Sequence, residues 1–187
     1  MFSGRRNAAA LGHEKKRRTR PGLWLRVLLP VTLLLQACGG GPQFNGTEYH
    51  GEQVAFRLGQ VPTGFRRIST DEALLGFQSE ASGNTIAINA RCGLDGDDVP
   101  LHALVNHLFL QFTSRERLSE RSFRLDGRDA LEVELEAALD GVRRHFLVVV
   151  SKKNGCVYDF VLVAPRRLSP AEQTQFRNMV EGFGTLD

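Results

Sequence analysis

The sequence predicts an α+β domain: a mainly antiparallel β-sheet covered by helices on both faces. Three observations carry that expectation. Asp126-Gly127, Asp140-Gly141 and Asn154-Gly155 each separate two strand-like runs, and such pairs favour tight hairpins because both central residues need positive φ. The run Phe146–Val150 is apolar at every position, as a strand buried on both sides must be. Two further segments carry apolar residues at helical spacing, which would provide covering layers.

The 187 residues are 42% hydrophobic and 24% charged, enough for one domain with its own core and too few for two good-sized ones. Charge is unevenly placed. Eight of the 24 Lys/Arg and one of the 21 acids precede Cys38, so residues 38–187 carry 16 basic and 20 acidic side chains, a net of −4. The net charge of +3 therefore belongs to the leader, and the remainder offers no electrostatic footprint for nucleic acid.

Residues 1–37 read as an export signal. Arg5, Arg6, Lys15, Lys16, Arg17, Arg18 and Arg20 run into a 13-residue stretch, Leu23–Leu35, interrupted by Arg26 and Pro30. A membrane-spanning helix needs roughly 20 apolar residues, whereas a basic region followed by a short apolar one is the layout of a secretory signal. The stretch ends Leu35-Gln36-Ala37-Cys38-Gly39, which resembles the bacterial lipobox. That resemblance implies Leu35 as the recognition leucine, Ala37 as the small residue before the cut, and Cys38 as the lipidated residue. The alternative is an uncleaved anchor or a tail with an incidental cysteine. Two or three acyl chains would hold a domain at a bilayer without a spanning helix. The resemblance also implies the outer membrane, because no Asp follows Cys38. Residues 38–53, Gly-rich and without periodicity, read as a flexible tether, leaving 54–187 as the single domain.

Within it, strands are expected at Val54–Leu58, Thr85–Cys92 and, more weakly, Leu75–Ser79, with a loop over Val61–Thr70. Leu101, Leu104, Val105, Leu108, Phe109 and Phe112 form one helical stripe. The meander follows as Ser122–Leu125, Arg128–Leu139, Val142–Lys153 and Cys156–Ala164. A turn at Asp140-Gly141 sets Leu135 opposite Phe146, Val133 opposite Val148 and Leu131 opposite Val150, all on one face. The next hairpin pairs Leu147 with Leu162, Val148 with Val161 and Val149 with Phe160. Ser169-Pro170-Ala171-Glu172 is a capping box with Pro at the first helical position, opening a helix striped by Phe176, Met179, Val180 and Phe183.

The order of a short strand, "VPTGF", a hairpin ending in "TIAINARC", a helix, "LDGRDAL" and "KKNGCVYDFVLVAP" resembles the PsbP-like α/β/α sandwich, and within it small lipoproteins of the DcrB type. The resemblance spans roughly Val54–Phe183. It implies a binding, assembly or stabilising factor without catalysis. The metal site of the photosystem members has no matching residues here.

Cys92 closes one strand and Cys156 opens another, with Ile86, Ile88 and Ala90 matching Tyr158, Phe160 and Leu162 in face. In an exported protein this favours a disulfide, with two buried thiols as the alternative. His102 and His107 lie about 140° apart around a helix and do not form a zinc pair with the cysteines. Asp95, Asp97 and Asp98 lack the spacing of a calcium loop. Glu132, Glu134 and Glu136 alternate along a strand and read as its wet side, with Glu136 opposite His145. Arg143-Arg144, Lys152-Lys153 and Arg166-Arg167 read as solvated rims. No nucleophile elbow, phosphate loop or dinucleotide fingerprint is present. The expectation is therefore a lipid-anchored accessory domain facing the periplasm, with no cofactor, no metal and no enzymatic activity. It would be tied to the membrane through Cys38 and bind a protein or envelope component. A small-ligand or metal-binding module is the alternative.

Overall fold

A computed structural model describes residues 41–93 and 99–186. In chain order the elements are β1 (Gln43–Phe44), β2 (Glu48–His50), β3 (Ala55–Arg57), β4 (Arg66–Ile68), β5 (Leu75–Gln78), β6 (Thr85–Cys92), α1 (Leu101–Leu108), β7 (Thr113–Leu125), β8 (Arg128–Leu139), β9 (Val142–Lys153), β10 (Cys156–Ala164), α2 (Pro170–Glu181) and β11 (Gly184–Thr185). Seven strands form an antiparallel sheet ordered β4-β5-β6-β10-β9-β8-β7, and four short ones form a second sheet ordered β1-β2-β3-β11.

The three hairpins of the meander turn as their sequences require. Asp126, Asp140 and Asn154 have φ of 47°, 51° and 54°, and each following glycine is also at positive φ. The expected register holds. Leu135 faces Phe146, Val133 faces Val148 and Leu131 faces Val150, and Leu147 faces Leu162 with Val149 opposite Phe160. Side chains of β8 and β9 then divide by parity. Leu131, Val133, Leu135, Phe146, Val148 and Val150 enter one core cluster with Leu104 and Val105 of α1. Leu147 and Val149 enter the other with Phe176, Met179 and Val180 of α2 and with Tyr49 and Phe56 of the small sheet.

α2 begins as expected. The Ser169 hydroxyl accepts from the Glu172 N–H, the Glu172 carboxylate accepts from the Ser169 N–H, and Pro170 fills the first turn. A hydrogen bond from Arg166, helped by Ser169 and Asn84, outweighs burial and brings Glu172 down to a pKa of about 2.

Several segments differ from expectation. α1 ends at Leu108, because the chain turns there to feed β7. Phe109 and Phe112 keep their three-residue spacing through a turn, Phe112 N–H donating to Phe109 O, and both rings pack on Phe146 at 5.0 and 5.3 Å. β7 starts at Thr113 rather than Ser122 and is almost wholly exposed. β4 occupies part of the expected loop. Residues 43–50 are not a structureless tether. Asn45 Oδ1 accepts from the N–H groups of Thr47 and Glu48, an Asx turn joining β1 to β2, and Tyr49 is buried and stacks on Phe56 at 5.0 Å. The ordered domain therefore begins near Gln43.

The chain at Leu58-Gly59 crosses the end of α2 at close range. Gly59 N–H donates to Met179 O, and a methyl group on Gly182 would run into Gly59 Cα and N. Gly182→Ala is expected to cost ~2 kcal/mol through backbone displacement, read as a lower urea midpoint at unchanged m.

Candidate functional site

β8 carries three glutamates on the face beneath α2, and the structure corrects their reading as a wet surface. Glu132 and Glu134 are 3% and 8% exposed. Arg121, directly opposite on β7, donates to both Glu132 oxygens at 2.9 and 3.0 Å. Arg177 of α2 reaches the same carboxylate from above at 2.9–3.1 Å. Glu134 accepts from Gln173 at 3.0 Å and from the Ser119 hydroxyl at 3.1 Å, with His145 Nε2 3.1 Å away. Gln173 and Arg177 are one helical turn apart, so one side of α2 supplies both polar partners. Arg121 also lies over the Phe123 ring at 4.7 Å.

Burial pushes the Glu132 carboxyl upward, but the hydrogen bonds and charges of Arg121 and Arg177 prevail and hold it below its ordinary value. His145, 2% exposed, is pushed below its ordinary value by burial, with Arg167 acting in the same direction and Glu134 and Glu136 against it. The expected pairing of Glu136 with His145 is correct in register. The acid nearest the imidazole is nonetheless Glu134, and Glu136 instead has Arg143 at 3.6 Å. Glu132 and Glu134 are thus each held by internal partners, which ties α2 to β7–β9.

The opposite face offers a surface. A groove of about 440 Å³ runs between α1 and β7, lined by the buried Val105, Phe109 and Leu135 and by the charged Arg115, Glu116 and Arg117. Leu110 also lines it and is 70% exposed. Leu139 and Val142, which face each other across the β8–β9 turn, are 41% and 49% exposed. By parity both lie on the α1 side, and Thr113 opposite Ala138 brings the segment after α1 beside them. Sequence reasoning did not single out this corner, because an isolated Leu110 or a leucine beside a turn carries no periodic signal. A second recess, of about 620 Å³, lies at the start of α1; of its cations, Lys153 is held by Asp126 and Lys152 by Val99 O.

Cys92 and Cys156 are directly opposite in register and joined as a disulfide. His102 lies 3.4 Å from Glu120, outside any group of metal-binding side chains. Among the described residues no three His, Cys, Asp or Glu are grouped to hold a metal, and no helix is long and apolar enough to cross a membrane. Leu35, Ala37 and Cys38 lie outside the described residues, as do Asp95, Asp97 and Asp98.

No family model and no curated protein matches the chain. Solved structures do. The chain is similar to LpqN of Mycobacterium tuberculosis, described as involved in cell envelope biogenesis, at a TM-score of 0.56 and 13% identity over 74% of this chain and 88% of that one. It is also similar to the cyanobacterial PsbP of Synechocystis sp. PCC 6803, at a TM-score of 0.52 and 15% identity over 81% of this chain and 99% of that one. At such identities the likeness establishes the fold: the domain is PsbP-like and LpqN-like, mostly antiparallel sheet with two helices among the described residues.

Two outcomes follow from the buried cluster. Glu132→Gln leaves two guanidinium groups against an amide and is expected to cost ~3 kcal/mol at neutral pH. Because the folded carboxyl is held low, its contribution is present above the unfolded carboxylate range and lost as pH falls through the folded value. The gap between variant and parent should therefore close below about pH 4 in urea titrations. His145 is disfavoured as a cation when folded, so the unfolded chain binds the extra proton. Stability should decline as pH drops below about 6.5, and His145→Gln should flatten that limb.

Proposed function

We propose that the chain is a lipoprotein, exported by residues 1–37, cleaved before Cys38 and acylated there. It would be held at the periplasmic side of the outer membrane, where its sandwich domain, with α1 and α2 on opposite faces, binds an envelope protein without catalysing a reaction. The observation that carries the binding reading is the division of labour between the two faces. Buried charge on the α2 face is consumed by internal pairs, while the exposed large apolar side chains among the described residues are Leu110, in the segment after α1, and Leu139 and Val142 at the β8–β9 turn, next to the Ala138 that pairs with Thr113. Exposed apolar clusters mark interaction sites. The fold shared with LpqN, a protein linked to envelope biogenesis, supports the same setting. The lipobox-like Leu35–Cys38 supports the anchor. Acyl chains would supply residence at the membrane and raise the local concentration of the domain toward a partner there.

Replacing Cys38 by Ala should leave the precursor uncleaved and without acyl mass. Membrane fractionation together with mass spectrometry of the N-terminus checks this. A mature N-terminus without fatty acid in the unaltered protein would overturn the anchor.

A further inference from the structure

Resting on the anchored reading above, we propose that the corner formed by Leu110, Leu139 and Val142, with the groove beside it, docks a partner protein. That partner would present an apolar side chain flanked by carboxylates.

The apolar component follows from the surface itself. Val105, Phe109 and Leu135 line a recess of about 440 Å³, room for one inserted side chain, with Leu110 at 70% exposure beside it. The charge follows from the cations at its rim. Arg115 donates to Phe109 O at 3.3 Å and Arg144 to Arg143 O at 3.1 Å. Those bonds use backbone carbonyls, and among the described residues neither guanidinium is paired with a carboxylate. Arg117 pairs with Glu120, and Glu116 and Asp140 are the local acids. Partner carboxylates therefore have two places to land, Arg115 in the lining of the groove and Arg144 two residues along β9 from Val142.

The first described strand packs on the other side of the sheet, where Phe44 meets Phe77 of β5 at 5.7 Å within the cluster that holds Phe176 and Met179 of α2.

The test places a photo-reactive p-benzoylphenylalanine at position 110, 142 or, as a control, 43 of the full chain in intact cells. Positions 110 and 142 are expected to yield the same heterologous protein adduct and position 43 none of it. Digestion of that adduct should map the contact to a segment with an apolar residue between Asp or Glu. Combining Arg115→Glu with Arg144→Glu should reduce the adduct about tenfold, while the thermal midpoint stays put because both side chains are exposed. Lipid adducts from position 110, an adduct of twice the chain mass, no protein adduct, or one indifferent to the charge reversal would each overturn the proposal. Fractionation of Cys38→Ala separates the two readings. Unchanged membrane partitioning removes the anchor, whereas lipid adducts at position 110 in a properly anchored protein remove the corner alone.

Discussion

With Asp140 and Gly141 both at positive φ, the turn between β8 and β9 admits one register, Leu139 against Val142. Sliding either strand by one residue would send Leu131, Val133 and Leu135 to the α2 side and carry the three glutamates beneath α1, away from Gln173 and Arg177. In the observed register the same alternation puts each glutamate where an arginine, a glutamine or a histidine can reach it. The sorting of β8 and β9 side chains into two core clusters therefore derives from this one hairpin. β9 is buried from His145 to Ser151, so each of its faces needs a partner layer.

The α2 layer meets that need with mixed chemistry. Phe176, Met179 and Val180 fill the apolar part over β10 and β9, while Gln173 and Arg177 answer the glutamates of β8. A buried ion pair recovers its desolvation cost only with good geometry and full hydrogen bonding, and the two-arginine clasp on Glu132 provides both. Its directionality also sets where α2 can sit along the strands, which a greasy contact alone would leave loose. Asp126 performs a similar task at the end of the chain. Its carboxylate takes the Lys153 ammonium together with the N–H and hydroxyl of Thr185 at 2.9 and 3.1 Å, tying β11 back to the β7–β8 turn.

Much of this was legible in the sequence, for reasons that differ by element. The meander registers could be read because paired turn residues and period-2 burial constrain the same strands twice. Cys92 and Cys156 could be matched because both end apolar alternations of equal parity. The capping box at Ser169 is local chemistry and needs no tertiary context. What could not be read depends on neighbours far away in sequence. Glutamates alternating with apolar residues look solvated until Arg121 and Arg177 are brought to them. β7 carries no apolar alternation over Thr113–Arg121 because, at the sheet edge, most of its side chains are exposed. Tyr49 in a Gly-rich stretch becomes a core residue only once Phe56 lies beneath it.

The edge and the corner bear on how the domain could meet another protein. A 13-residue edge strand is an invitation to strand addition, yet β7 is interrupted between Thr113 and Glu116 and again between Arg117 and Ser119, with Ser114 at a φ of 50°. Its outward residues include Arg115, Glu116, Arg117 and Glu120. Bulges and charge of this kind twist an edge away from flat pairing. Recognition through backbone hydrogen bonds along β7 is disfavoured by these bulges and exposed charges. A contact made by side chains, apolar at the corner and ionic at its rim, escapes that obstacle because it needs no continuous ladder. The bulges also coincide with the groove, since Arg115, Glu116 and Arg117 lie at the interruptions and line it. The irregularity that closes the edge to strands is thus also what turns these three side chains toward the recess beside α1.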